Sequence, residues 1–139
     1  MSDMKVFFLD RDGVINKEVE YLHKIEDFVF IDGVIDALKF LSSINFKLII
    51  VSNQSGISRG LYTIEDFHIL NEWMLKKLRR EGVEILEVLI CPHLPKDNCN
   101  CRKPLPGMFF QAFDNYMIDI NNSWMVGDSE RDIVAAYSA

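Results

Sequence analysis

The chain has 139 residues, 49% of them hydrophobic, which is enough apolar material for one core without disulfide staples and too little length for two full domains. Fifteen Lys+Arg against 21 Asp+Glu leave a formal net charge of −6, which disfavours a general nucleic-acid or anionic-membrane binder, since both need a broad positive field. The longest mostly apolar run, Phe46 to Val51, is broken by Lys47 and falls far below the roughly 20 residues of a membrane span, and no signal-peptide core precedes Asp10. The expectation is a cytoplasmic monomer forming one domain over residues 1–139 and binding neither nucleic acid nor membrane.

Along the chain, strand-length apolar runs alternate with helical segments. Val6-Phe7-Phe8-Leu9 opens as a strand, and Val34, Leu38 and Leu41 then mark one helical face. Leu48-Ile49-Ile50-Val51 is the second strand. The stripe Phe67, Leu70, Met74, Leu78 predicts a longer helix, capped by Thr63, with Glu65 and Asp66 in its first turn, Lys76, Lys77, Arg79 and Arg80 in its last, and Gly82 beyond. Val88-Leu89-Ile90 is the third strand. Pro106 suits the first turn of a third helix that turns Phe109, Phe110 and Phe113 inward, Trp124-Met125-Val126 is the fourth strand, and Ser129 caps a fourth helix.

These strands lack polar alternation, as expected of strands covered on both faces. Their alternation with helices predicts an α/β, Rossmann-like three-layer fold with a mostly parallel central sheet. Active sites of such sheets lie beyond the carboxyl ends of the strands. Asp10-Arg11-Asp12-Gly13 follows the first strand, Ser52-Asn53-Gln54-Ser55-Gly56 the second, Cys91 the third and Gly127-Asp128 the fourth.

On extended backbone the carboxylates of Asp10 and Asp12 point the same way and repel unless a cation lies between them. Taken alone, Asp-x-Asp-Gly is equally a turn with solvated acids. With Asp128 from another strand end, three oxygen donors suit Mg²⁺. The small polar loop after the second strand, and Arg102-Lys103-Pro104, offer amides, hydroxyls and cations to a phosphate. All three cysteines lie between Cys91 and Cys101, an odd number bunched with a histidine. Cys91-x-His93-x5-Cys99-x-Cys101 reads as a four-ligand structural Zn²⁺ loop over residues 91–101, of reduced thiolates, pinning the segment that carries Arg102 and Lys103. His23 and His68 read as ordinary surface and helix residues.

The ordered motifs Phe8-Leu9-Asp10-Arg11-Asp12-Gly13-Val14-Ile15-Asn16, Val51-Ser52-Asn53-Gln54-Ser55-Gly56-Ile57-Ser58-Arg59-Gly60, Cys91-Pro92-His93 through Cys99-Asn100-Cys101-Arg102-Lys103-Pro104, and Gly127-Asp128 with Asp132 resemble the haloacid dehalogenase-like phosphatases. More narrowly they resemble the branch containing histidinol-phosphatases and D-glycero-D-manno-heptose 1,7-bisphosphate 7-phosphatases, from about Val6 to Ala136. The resemblance implies Asp10 as nucleophile forming an aspartyl-phosphate, Asp12 as general acid and base, and catalytic Mg²⁺ held by the Asp10 carboxylate, the Asp12 carbonyl and Asp128. It places Ser52 and Lys103 on the phosphate oxygens, and Glu18, Tyr21, Asn53, Gln54, Ser55 and Arg102 on the sugar or its second phosphate, with Arg59 available to a second anionic group.

The implied substrate is a small phosphorylated metabolite. The Gln54-Ser55-Gly56-Ile57-Ser58-Arg59-Gly60 loop favours heptose bisphosphate and the short His93–Cys99 spacer favours histidinol phosphate; the loop lies nearer the phosphate, so removal of the 7-phosphate of heptose bisphosphate is the expectation and histidinol phosphate the alternative. A non-catalytic, zinc-stabilised binder of a phosphorylated ligand is the competing class. Ser129 stands where heptose relatives usually carry lysine, and relatives generally continue past Ala139 through another strand. No separate cap domain is expected, so the zinc loop and the segments after the first two strands shape the pocket.

Overall fold

A parallel sheet buried on both faces needs strands that are apolar at every position, and the computed structural model, which describes residues 3–139, builds its centre from one. The strands are β1 (Lys5–Leu9), β2 (Phe46–Asn53), β3 (Glu87–Cys91) and β4 (Trp124–Val126), in the order β3-β2-β1-β4 with every pairing parallel. The helices are α1 (Val34–Ser43), α2 (Ile64–Arg80), α3 (Gly107–Asn115) and α4 (Glu130–Ser138).

Leu48, Ile49, Ile50 and Val51 of β2 are all at most 1% exposed. Their alternate side chains feed two cores. Leu48 and Ile50 pack with Leu9 of β1, Leu38 of α1 and Leu70, Met74 and Leu78 of α2. Ile49 and Val51 pack with Val6 and Phe8 of β1, Met108, Phe109 and Ala112 of α3, and Ala135 of α4. The period of two thus divides one strand between two helical layers and produces the Rossmann-like three-layer arrangement.

α2 follows its punctuation closely. Thr63 Oγ1 accepts from the Asp66 N–H at 3.0 Å while Asp66 accepts from the Thr63 N–H at 3.0 Å, a complete capping box. Two expectations change. Phe109 is buried but Phe110 is 47% exposed and Phe113 only partly covered, because neighbours on a helix diverge by about 100° and cannot both face one core. Pro106 precedes the helix at its N-cap instead of sitting in its first turn. β4 also departs from two-sided burial: Trp124 is 62% and Val126 40% exposed. α4 packs on β4 and α1 on β2, so the layer holding α1 and α2 stops short of the sheet edge.

Among the described residues no cap domain interrupts the sheet; the connections after β1 and β2 are turns with a short 3₁₀ segment at Ile25–Asp27. Among them also, no helix is long and apolar enough to cross a membrane. Truncating the adjacent phenylalanines should separate their roles: Phe109→Ala should cost about 3–5 kcal/mol in urea unfolding and Phe110→Ala less than about 1 kcal/mol.

Candidate active site

The carboxyl ends of the strands bring Asp10, Asn53 and Asp128 to one side of the sheet, where a cavity of about 120 Å³ is lined by Asp10, Asp12, Lys103, Asp128 and Asp132 among others. The Asp10 N–H donates to the Val126 carbonyl at 3.0 Å, fixing the end of β1 against β4. The Lys103 side chain is 3% exposed, and its Nζ donates to the Val51 carbonyl at 3.0 Å, lies 3.2 Å from Asp10 Oδ1, and bonds closely to Asp132 Oδ1. Asn53 clamps the Lys103 backbone on both sides, its Oδ1 accepting the Lys103 N–H at 2.9 Å and its Nδ2 donating to the Lys103 carbonyl at 3.1 Å.

Burial pushes the Asp10 carboxyl up to about 6, and the nearby Asp132 and Asp12 carboxylates add to this while Lys103 opposes it. Carboxylate oxygens of Asp10, Asp128 and Asp132 lie within 4.8 Å of one another. Lys103 is the cation in direct contact with this excess of negative charge, and hard oxygen donors so gathered suit a divalent cation such as Mg²⁺. Two glycines allow the approach. Gly13 has φ +86°, and a Cβ there would lie 2.0 Å from Asp128 Oδ2; a Cβ on Gly127 would lie 2.3 Å from Asp132. Sequence reasoning gave Asp132 no role. Its signal was the Ser129-x-x-Asp132 capping box, in which Asp132 Oδ2 accepts the Ser129 N–H at 3.2 Å while its other oxygen meets Lys103.

Asp12 departs from the expectation that its carboxylate shares a cation with that of Asp10. The Arg11 guanidinium, on a residue only 1% exposed, takes that place, donating from Nε to Asp12 Oδ1 at 3.0 Å and from a terminal nitrogen to Oδ2 at 3.2 Å. Asn16 Nδ2 donates to the same Oδ1 at 3.1 Å and Gln54 Nε2 to Oδ2 at 3.2 Å. Asp12 nevertheless lines the cavity.

Gln54, expected at the substrate, is 3% exposed and spends its amide inside the protein. Nε2 also donates to Ser52 Oγ at 2.8 Å, and Oε1 accepts from the Tyr62 hydroxyl, whose phenol burial pushes up to about 12. Ser52 is 1% exposed, and its hydroxyl, expected on the phosphate, accepts from Gln54 and lies outside the lining of both cavities. Tyr62 carried no sequence motif; only its position after the polar loop marks it.

A second cavity, of about 300 Å³, adjoins the first and is lined by Glu18, Tyr21, Ser55, Arg59, Arg102 and Arg131 among others. Asp12, Glu18, Asn53 and Arg131 border both. Arg59 Nε donates to Ser55 Oγ at 3.2 Å, with its guanidinium 5.8 Å from the Tyr21 ring centre, and Arg102 donates to the His93 carbonyl at 3.2 Å. Burial, then the neighbouring Arg131 and Arg59 charges, lower the Arg102 pKa. The structure therefore brings the expected substrate residues to one wall, with Asn53 and Gln54 used mainly for positioning.

The loop after β3 gathers Cys91, His93, Cys99 and Cys101, whose donor atoms lie within 4.8 Å of one another. The sulfurs of Cys91 and Cys101 are in disulfide contact, contrary to the expectation of three reduced thiolates. A disulfide and a four-donor metal site use the same sulfurs and exclude each other. His93 Nδ1 lies 3.4 Å from Cys91 Sγ and 3.3 Å from Cys101 Sγ, and Cys99 Sγ lies 3.6 Å from Cys91 Sγ. A disulfide gives no reason for an imidazole nitrogen and a third thiol to close on it, whereas four donors around one cation must crowd in this way, so the donor set fits a metal such as Zn²⁺.

A largely buried aspartate paired with a lysine, and gathered with one carboxylate from the end of β4 and one from the first turn of α4, is the equipment of a phosphoryl-transfer enzyme of the haloacid dehalogenase-like class. The chain belongs to the polynucleotide kinase 3 phosphatase family of that class, matching it over residues 4–136. It is 47% identical to the D-glycero-alpha-D-manno-heptose-1,7-bisphosphate 7-phosphatase of Photorhabdus laumondii over 99% of this chain and 79% of that protein. It is 46% identical to the D-glycero-beta-D-manno-heptose-1,7-bisphosphate 7-phosphatase of Escherichia coli K12, over 99% of this chain and 76% of that one. The solved D,D-heptose 1,7-bisphosphate phosphatase of B. bronchiseptica, complexed with magnesium and phosphate, superposes with a TM-score of 0.91 at 34% identity, over 97% of this chain and 76% of that one.

The raised Asp10 carboxyl has a consequence for stability. Its folded-state pKa, about 6, lies above the ordinary 3.8, so its contribution is fully present below about pH 4 and is lost as pH rises through 6. Without divalent cation in the buffer, Asp10→Asn should therefore gain on the wild type between pH 4 and pH 7, by on the order of 2 kcal/mol in urea unfolding. A difference independent of pH would refute the buried-charge account.

Proposed function

We propose that this protein is a Mg²⁺-dependent phosphomonoesterase that removes the 7-phosphate of D-glycero-D-manno-heptose 1,7-bisphosphate, and that residues 1–139 act as one phosphatase domain. The observation that carries the reading is Asp10, largely buried beside Lys103 at the end of β1 and facing a cavity that adjoins a second one lined by Arg59, Arg102 and Arg131. Relatives at 46–47% identity bear the name of that activity, which favours heptose bisphosphate over histidinol phosphate.

In the proposed reaction an Asp10 carboxylate oxygen attacks phosphorus, the bond to the sugar oxygen breaks, and Asp12 gives the leaving alkoxide its proton. Water then attacks the phosphorus of the aspartyl-phosphate, Asp12 takes its proton, and inorganic phosphate leaves with Asp10 restored. Lys103 steadies negative charge on the phosphoryl oxygens, with Ser52 setting the floor of the site through Gln54. Asp10, Asp128 and the backbone carbonyl of Asp12 would hold Mg²⁺, with Asp132 beside them. When bound, that ion shields the charge of phosphate and carboxylate so that one anion can approach another. Arg59, Arg102 and Tyr21 face the distal part of the substrate, and Cys91, His93, Cys99 and Cys101 would hold a structural Zn²⁺.

Steady-state kinetics with Mg²⁺ on heptose 1,7-bisphosphate and histidinol phosphate tests the substrate: a clear preference for the sugar is expected, and the opposite preference overturns the choice. Asp10→Asn should reduce turnover to background, and Asp12→Asn should lower kcat by about 10²–10⁴-fold; undiminished hydrolysis in the first variant excludes the covalent route. Elemental analysis of protein purified without chelator should find stoichiometric zinc, lost in Cys99→Ser. Zinc-free wild-type protein with an intact Cys91–Cys101 disulfide would sink the metal assignment.

A further inference from the structure

Arg131 matched no expectation from the sequence, yet it is the cation, among the described residues, that borders both cavities: Lys103 lines the inner one, and Arg59 and Arg102 the outer one. It stands in the first turn of α4, where its Nε donates to Ser129 Oγ at 3.4 Å. Arg59 and Arg102 are held in the same manner, each by one nitrogen to a neighbouring oxygen. The tether fixes the direction of each guanidinium while leaving its other N–H groups open to the cavity.

None of the three arginines pairs with a carboxylate among the described residues, although Glu18 and Glu20 share the outer wall. Arg11 offers the contrast, with its guanidinium spent on Asp12. Three like charges around one cavity repel one another, and the Arg102 pKa, lowered first by burial, is lowered further by the neighbouring Arg131 and Arg59 charges. In a chain of net charge −6 such a cluster is stabilised by an anionic ligand that neutralises it.

Resting on the phosphatase reading above, we propose that Arg131 is a substrate-selecting residue: placed between the reacting phosphate and the outer arginines, it contacts the second anionic group of a doubly phosphorylated substrate and so favours bisphosphates over monophosphates. Arg59 and Arg102 hold that group from the far wall. Arg131 closes the near side, and its planar fork grips two phosphate oxygens at once.

The test compares kcat/KM on heptose 1,7-bisphosphate with kcat/KM on p-nitrophenyl phosphate, which has no second anion, for wild type, Arg131→Gln and Arg131→Lys. The bisphosphate preference should fall about tenfold in the glutamine variant, through KM more than kcat, and by less in the lysine variant, which keeps the charge. An equal loss on both substrates means that Arg131 serves the reacting phosphate or the helix alone, and overturns the proposal, as does an unchanged preference. If the wild-type protein hydrolyses neither compound, the phosphatase reading fails by itself. Calorimetry with fructose 1,6-bisphosphate and fructose 6-phosphate then decides: a bisphosphate preference that Arg131→Gln abolishes supports the assignment, and a preference that is absent or survives the substitution overturns it.

Discussion

Lys103 Nζ reaches the Val51 carbonyl, Asp10 and Asp132 while its side chain is 3% exposed, and the site's geometry depends on that one ammonium. An isolated buried ammonium costs several kcal/mol in lost hydration, so it persists only where its protons find acceptors. The three acceptors come from three parts of the fold: Val51 from β2, Asp10 from the end of β1, and Asp132 from the first turn of α4. Each is itself fixed, Val51 by sheet pairing, Asp10 through the Val126 carbonyl, and Asp132 by the α4 capping box. The lysine therefore links the strand that ends at Asp10 to the helix that follows β4.

A different cation handles the second carboxylate. Arg11 is buried against Asp12 and fixes it with two N–H groups, Asn16 and Gln54 supply two more, and the Gln54 amide is oriented by Tyr62. Asp10 and Asp12 thus sit two residues apart in different environments. Asp10 loses water, and although Lys103 opposes the effect its carboxyl rises to about 6. Asp12 keeps a route to solvent and is held by donors that fix its direction. Such different surroundings suit two nearby carboxylates to different tasks, as the proposed reaction requires.

Much of this was legible in the sequence, because the fold's signals are local. Strand runs such as Leu48-Ile49-Ile50-Val51 and the capped stripe of α2 name their own elements, and the strand-end rule then gathers Asp10, Asn53 and Asp128 on one side. What escaped depends on which partners the folded chain brings to each side chain. Gln54 and Ser52 have side chains suited to a substrate, and only the arrival of Tyr62 against the loop shows that their polar atoms are used internally. Asp132 looks like a helix cap because it is one, and the same carboxylate's contact with Lys103 spans 29 residues. Phe110 was misplaced for a simpler reason, since a run of aromatics cannot reveal which of two neighbours faces the core.

The loop from β3 to α3 raises the problem of order. Between Cys91 and Gly107 there is one short 3₁₀ turn, at Pro95–Asp97, and no regular ladder, yet Lys103 must be delivered to a buried position near its end. Two devices restrain it. The cluster of Cys91, His93, Cys99 and Cys101 ties the first part of the loop to the end of β3, and Asn53 grips the Lys103 backbone from the end of β2. Closing a segment of this length on itself removes conformational freedom before Lys103 meets its acceptors, so part of the entropy cost of ordering the lysine is met by the cluster. Arg102 lies between the two restraints and donates to the carbonyl of His93, itself a member of the cluster. The cysteine loop and the two cavities are therefore mechanically one unit: a cluster that loosened would disturb Lys103 in the inner cavity and Arg102 in the outer one together.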